Sequence, residues 1–314
     1  MERIGYYEGV TPDNNVASFL QGNAEAQPEA TAYHWVTPDE LQRWMKDKCA
    51  EDPIKHQRTS FREFAEGVER VAGGLHSLGL SKGDCVLLFL PMSVALYTAM
   101  AGLQRIGAVP VFLDSWARRD ELDVSAQVVN AKAMISFEIA FELAADSPTL
   151  KALTTRIVFG PVTGEYTARL EKLIQHPDPA PIEPVAQEDT ALITFTTGSS
   201  GTPKGANRTH RFLAAQHKAL DEFLPYTEND VDLPAFPIFS LNNIAAGVST
   251  VIPAIDVGTP ADHDNSLLLA QMNACQVTCT TLSPWLLNSI AAECHEHGHQ
   301  LTGLRRAATG GAPI

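Results

Sequence analysis

Basic charge is scarce in this 314-residue chain: 23 Lys and Arg stand against 37 Asp and Glu, a net charge of -14. A surface this negative repels nucleic acid and anionic lipid, so neither is expected as a partner, whereas a small anion held by local backbone amides remains compatible with it. Cysteine is also sparse, and its odd count of five (Cys49, Cys85, Cys275, Cys279, Cys294) fits no closed disulfide framework. The amino terminus, MERIGYYEGV, lacks the charged-then-apolar order of a signal peptide, so a reducing, cytoplasmic setting is expected. Repeats with a period of about 20 to 50 residues are absent, which excludes solenoids and propellers. One uncharged run, residues 85–104, has the length of a bilayer span, but Pro91 and Ser93 split it into a strand and a helix. No integral membrane segment is therefore expected.

What is present is alternation. Apolar residues at 61, 64, 65, 68, 71, 72, 75 and 78 keep the spacing of one helical face, with Ser60 and Glu63 as a capping box and Gly79 as a stop. Strands then read at 85–90, 109–113, 133–137, 156–159 and 191–196, and a helix at 93–106 makes the first connection a crossover between parallel strands. After Lys204 follow a helix near 212–223, strands near 231–236, 248–252 and 277–281, a helix over 284–296 and a strand at 304–308. This is the pattern of an α/β fold. Residues 176–190, with four prolines and four acidic residues, read as an exposed connector. The final ATGGAPI leaves a strand into a glycine-rich turn, so the chain is expected to be a piece of a longer one.

Residues 194–205, TFTTGSSGTPKG, carry the chemistry. Gly198 and Gly201 let backbone amides turn toward an anion, five hydroxyls (Thr196, Thr197, Ser199, Ser200, Thr202) add donors, and Lys204 supplies a positive charge. The loop departs from a Walker loop, because Pro203 precedes the lysine and Gly205 follows it, and no strand-associated GxGxxG suggests a dinucleotide enzyme. Cys275, Cys279, Cys294, His295, His297 and His299 lack the paired knuckle of a zinc site, and histidines at a helix end fit dipole compensation.

Phe195 to Gly205, with Thr209-His210 downstream, resembles the phosphate-loop signature of the adenylate-forming superfamily, which includes acyl-CoA synthetases, luciferase-like enzymes and peptide-synthetase adenylation domains. Residues 61–83, GAVPVFLD at 107–114, DLPAFPIF at 232–239 and Gly310-Gly311-Ala312-Pro313 follow in that family's order. The resemblance implies stacked, largely parallel sheets flanked by helices, with subdomains at 58–215 and at 1–57 with 216–314, truncated before a small carboxy-terminal domain. It implies that a small-molecule carboxylic acid attacks the α-phosphate of ATP, giving an acyl-adenylate and pyrophosphate, and that CoA then takes the acyl group.

By the same resemblance Thr196, Thr197, Gly198, Ser199, Ser200, Gly201, Thr202 and Lys204 hold phosphate, and Gly311, Ala312 and Pro313 lie against adenine. Lys204 is the catalytic candidate, and Thr197 and Ser199 are candidates for magnesium. Phe236, Phe239, Asn242 and Asn243 are candidates for the walls of the acid pocket. The family's aromatic-Gly-x-Thr-Glu segment, its ribose-binding aspartate, its hinge and its carboxy-terminal lysine are missing, so this piece is expected to bind nucleotide weakly and to turn over poorly. The stretch Phe236-Pro237-Ile238-Phe239 departs from many acyl-CoA synthetases, which have a histidine after the Pro-x-Phe element. The Phe-Pro-x-Phe form, with VIPAID at 251–256 and SPWLL at 283–287, is similar to olefin-pathway β-lactone synthetases, which close a β-hydroxy acid on itself. That branch is the main alternative, and a noncatalytic nucleotide-binding remnant is the other.

Overall fold

A computed structural model describes residues 14–46, 53–113, 119–143, 145–197, 203–254 and 265–311. Two antiparallel strands, β1 (Thr31–Trp35) and β2 (Gln57–Ser60), lead into the helix Phe61–Ser77. Then β3 (Cys85–Phe89), β4 (Val109–Phe112), β5 (Ala133–Phe137), β6 (Thr155–Phe159), β7 (Ala168–Arg169), β8 (Thr190–Thr197) and β9 (Pro203–Thr209) form one sheet. Its order is β7-β6-β5-β3-β4-β8-β9, and every pairing is parallel except the β8–β9 hairpin. The remaining strands, β10 (Val231–Pro234), β11 (Ser249–Val251), β12 (Cys279–Leu282) and β13 (Arg306–Thr309), join β1 and β2 in the order β13-β12-β10-β11-β1-β2. The chain divides into two compact units, one with Asn23–Arg62 and the chain from Leu220, the other with Glu63–Ala219 and the residues just before Asn23. The α/β fold read from the sequence is therefore present, with mixed, mainly parallel sheets.

In the unit built on β3 to β9, the uncharged run becomes β3 and the helix Val94–Arg105, all of whose residues from Ala95 onward are buried. A strand of a parallel sheet is covered on both faces, and this explains why the run has no polar stripe. The Ser93 hydroxyl accepts from the Leu96 amide at 3.1 Å and starts the helix cleanly. No helix of the described residues is long and apolar enough to cross a membrane.

The connector at 176–190 is largely exposed and forms almost no regular structure, as read from the sequence, but it is also pinned to the unit as a strap, with Ala180 and Val185 buried. Arg105 Nε donates to the Ala180 carbonyl at 2.7 Å while its guanidinium pairs with Glu69 at 3.0 Å, and Lys82 Nζ reaches both the Pro184 carbonyl at 3.2 Å and Asp189 at 2.9 Å. Prolines offer no amide to a sheet, so cationic side chains meet the strap's carbonyls instead.

In the other unit the core gathers Leu233, Val251, Leu268, Leu282, Leu286 and Ile290. The helix Pro237–Ala246 contributes instead to a separate cluster, in which Ala246 meets Tyr226, Val248 and Cys279, and it is ended by Gly247 in the left-handed region at φ 69°. Asn23 Nδ2 donates to the last carbonyls of that helix, Ile244 at 2.8 Å and Ala245 at 3.1 Å.

Candidate functional site

Of the phosphate-loop candidates, Thr196 and Thr197 close β8 and Lys204 lies at the start of β9. Phe195 pairs with Gly205, Thr196 with Lys204 and Thr197 with Pro203, so Lys204 stands opposite Thr196 at the mouth of the hairpin, on an exposed edge strand. Gly198, Ser199, Ser200, Gly201 and Thr202 lie outside the described residues. The hairpin is anchored by Phe195, which is buried, and a Cβ on Gly205 would sit 3.2 Å from its ring. The mouth lies at the carboxyl end of β8, which runs parallel to β4, the end at which open α/β sheets bind ligands.

At the other end of β9, Thr209 Oγ1 accepts from the Phe212 amide at 3.1 Å and opens the helix His210–Phe223. His210 is buried, its Nδ1 accepts from the Val16 amide at 3.2 Å, and burial pushes its pKa down to about 4. His34, in the other unit, is lowered to about 4 by burial and by nearby Arg58 and His56. With folded values below the ordinary 6.5, the unfolded chain binds more protons between pH 4 and pH 6.5, so acidification through that window removes stability. Each histidine contributes about 2 kcal/mol of that loss between pH 7 and pH 5. Asp232, raised to about 6, opposes it in part, because the folded state then holds the extra proton. His210→Asn keeps an acceptor for Val16 and removes the titration, so its melting temperature should fall less than wild type between pH 7 and pH 5; equal falls in a thermal scan would refute the buried neutral state.

Among the candidates of the other unit, Gly311 adopts φ +85° and a Cβ there would meet the Phe236 ring at 3.2 Å, so the two lie in contact. Phe236 and Phe239 form a tilted pair with centroids 6.2 Å apart. Pro237 occupies the first turn of its helix, where its fixed φ and missing amide suit the geometry. Asn243 is fully buried, and its Nδ2 donates to Asp232 Oδ2 at 2.8 Å and to Thr250 Oγ1 at 3.1 Å, tying the helix to β10 and β11. Asn242 and Phe239 line a small cavity together with Asp232, Tyr226, Thr281 and Arg306. Ala312 and Pro313 lie outside the described residues.

Tyr226 and Arg306 belong to no motif read from the sequence, and Asp232 entered only as the first residue of DLPAFPIF, without a role. Asp232 is 1% exposed, and burial raises its carboxyl to about 6 although Asn243 and Tyr226 donate to it. The Tyr226 hydroxyl lies 3.0 Å from Asp232 Oδ2, and the Arg306 guanidinium stacks 4.8 Å from the Tyr226 ring centroid. The signal available in the sequence was a lone acid in the middle of an apolar strand, Val231-Asp232-Leu233.

The sequence model of the family described as AMP-binding enzyme matches residues 20–314. The chain belongs to that family. Among its AMP-binding relatives, the olefin β-lactone synthetase of Xanthomonas campestris pv. campestris is 30% identical over 81% of this chain and 46% of its own length. The salicyl-AMP ligase / salicyl-S-ArCP synthetase of Mycobacterium tuberculosis is 26% identical over 97% of this chain and 57% of its own. The apo structure of Mycobacterium smegmatis MbtA superposes with a TM-score of 0.75 at 25% identity, covering 96% of this chain and 53% of that one. The chain thus spans about half the length of the curated relatives it matches.

The candidates read from the sequence that lie among the described residues thus fall into two groups, each within its own unit: Thr196, Thr197 and Lys204 where β8 pairs with β9, and Gly311 against Phe236, which pairs with Phe239. Of the magnesium candidates, Thr197 ends β8 and Ser199 lies outside the described residues. Among the described residues no three His, Cys, Asp or Glu side chains gather as a metal-ligating group, and no residue is assigned to the ion.

Proposed function

We propose that the protein activates a carboxylic acid with ATP. The acid's carboxylate oxygen attacks the α-phosphorus, the bond from that phosphorus to the bridging oxygen of pyrophosphate breaks, and the products are an acyl-adenylate and pyrophosphate. Family membership supports this reading, and the observation that carries it is the placing of Lys204 opposite Thr196 at the mouth of the TTGSSGTPKG hairpin. An ammonium there offsets the charge growing on the departing pyrophosphate, while backbone amides of the glycine-rich turn orient it. Gly311, whose missing Cβ makes room for the Phe236 ring, lies against the adenine in this reading together with Ala312 and Pro313. The Thr196, Thr197, Ser199, Ser200 and Thr202 hydroxyls are the further phosphate contacts.

The second step is transfer of the acyl group to the CoA thiol, with AMP leaving. A second reading, closure of a β-hydroxy acid to a β-lactone, is favoured by the Phe236-Pro237-Ile238-Phe239 form and by the 30% identity to a protein called olefin β-lactone synthetase.

The test is ATP–pyrophosphate exchange by the longest native reading frame with magnesium and a panel of fatty, aromatic and β-hydroxy acids. Exchange that depends on one class is the expected result, after which CoA consumption or lactone release separates the two second steps. A frame that binds ATP but exchanges with no acid would replace the proposal with a nucleotide-binding remnant.

A further inference from the structure

Beneath the helix Pro237–Ala246 the sheet face changes character. Cross-strand register sets Asp232, Cys279 and Arg306 side by side on β10, β12 and β13, and two residues further on the same face carries Pro234, Thr281 and Ala308. The strands are parallel, so both rows point toward one carboxyl edge, where Phe236 and Gly311 meet. An apolar row is the ordinary occupant of such a face, yet the lower row holds an acid and a base.

Within it lies a cavity of about 10 Å3, room for a single oxygen-sized group, bounded by Asp232 and Arg306 below and by Phe239 and Asn242 from the helix. Asp232 Oδ2 already accepts from both Tyr226 and Asn243. Its Oδ1 is buried and has no hydrogen-bond partner among the described residues. A buried carboxylate oxygen left without a donor is costly, so the vacancy calls for a group that donates. Arg306 beside it disfavours a second cation, and the small volume excludes a ring or a branched group.

We propose that Asp232 is a specificity-determining residue, whose free Oδ1 takes a hydrogen bond from a hydroxyl carried on the acid substrate at the end far from its carboxylate. This rests on the adenylation reading above. Asp232 lies four residues before Phe236 along the strand, roughly 13 Å at the rise of an extended chain, so the fitting acids are extended and of medium length. Phe239 and Asn242, read from the sequence as acid-pocket walls, flank the place where the hydroxyl would arrive.

The experiment pairs straight-chain acids of about six to ten carbons with the ω-hydroxy acids in which OH replaces the terminal CH3. Exchange rates (kcat/KM) are measured on the longest native reading frame of wild type, Asp232→Asn and Asp232→Val, with calorimetric binding of each pair run alongside. Wild type should prefer the hydroxy acid by about tenfold or more at one chain length. The preference should fall to about threefold in Asp232→Asn, which keeps a hydrogen-bonding group without the charge, and vanish in Asp232→Val. If the valine variant does not fold, the asparagine arm decides. Equal use of both members of every pair by wild type, or a preference that survives unchanged in the variants, overturns the proposal. If no acid supports exchange, the adenylation reading fails and calorimetry alone decides: equal binding of each pair by wild type and Asp232→Asn then removes the role assigned to Asp232, and a selective loss of the hydroxy acid in the variant upholds it.

Discussion

Gly73→Ala should destabilise the fold by about 3 kcal/mol or more, lowering the melting temperature by roughly 5 °C in a thermal scan. The position lies inside the helix Phe61–Ser77, where alanine is ordinarily the better residue, so propensity alone predicts a gain. Packing reverses the sign. A Cβ on Gly73 would stand 1.8 Å from the carbonyl oxygen of Asp178 and 2.9 Å from its carbon, and this is backbone of the strap, held in place by the bond from the Ala180 amide to the Glu69 carbonyl at 3.0 Å. Gly67 in the same helix provides the control, since a Cβ there meets only Thr98 Cγ2 at 3.8 Å and Ile174 Cγ2 at 4.0 Å. Gly67→Ala should therefore gain up to about 1 kcal/mol. A Gly73→Ala protein that melts at or above wild type would show that the strap does not rest on this helix.

The same helix shows what a sequence can and cannot disclose. Its apolar face, the run that became β3 and the helix Val94–Arg105, and the strands β4, β5 and β8 were legible because burial on one or both faces writes a period into the residues. β9 was not legible: PKGANRT is polar and contains Gly and Pro, and it is a strand because its backbone pairs with β8 along an edge. β2, with the sequence QRTS, was missed for the same reason. The strap was read correctly as an exposed connector, but its anchoring was not legible, because composition registers prolines and acids and not the Arg105 and Lys82 side chains that reach its carbonyls. The hydroxyls and Lys204 were singled out by residue type, since phosphate chemistry would select them. The acid beneath the helix Pro237–Ala246 was not, because Asp232 gains its meaning from Arg306, set beside it through β12, from Asn243 on that helix and from Tyr226 in the segment before β10.

Lys204→Ala in the longest native reading frame should lower ATP–pyrophosphate exchange by about 10²- to 10³-fold, the usual cost of removing one preorganised charge from a developing anion. The fold should be indifferent to the change, because Lys204 is exposed and its pairing with Thr196 is made by backbone atoms. Lys82 gives the opposite pattern. It is also partly exposed, but it bridges the Pro184 carbonyl and Asp189, so Lys82→Ala should cost about 1 kcal/mol of stability and leave exchange nearly intact. The two lysines thus separate charge used on a ligand from charge used on the chain. Lys204→Arg refines the test: a planar guanidinium keeps the charge but spreads it over a fork, so exchange should recover only in part. Retention of wild-type exchange in Lys204→Ala, with the acid and ATP both saturating, would remove the lysine from the reaction and leave the hairpin's amides and hydroxyls to carry the phosphates alone.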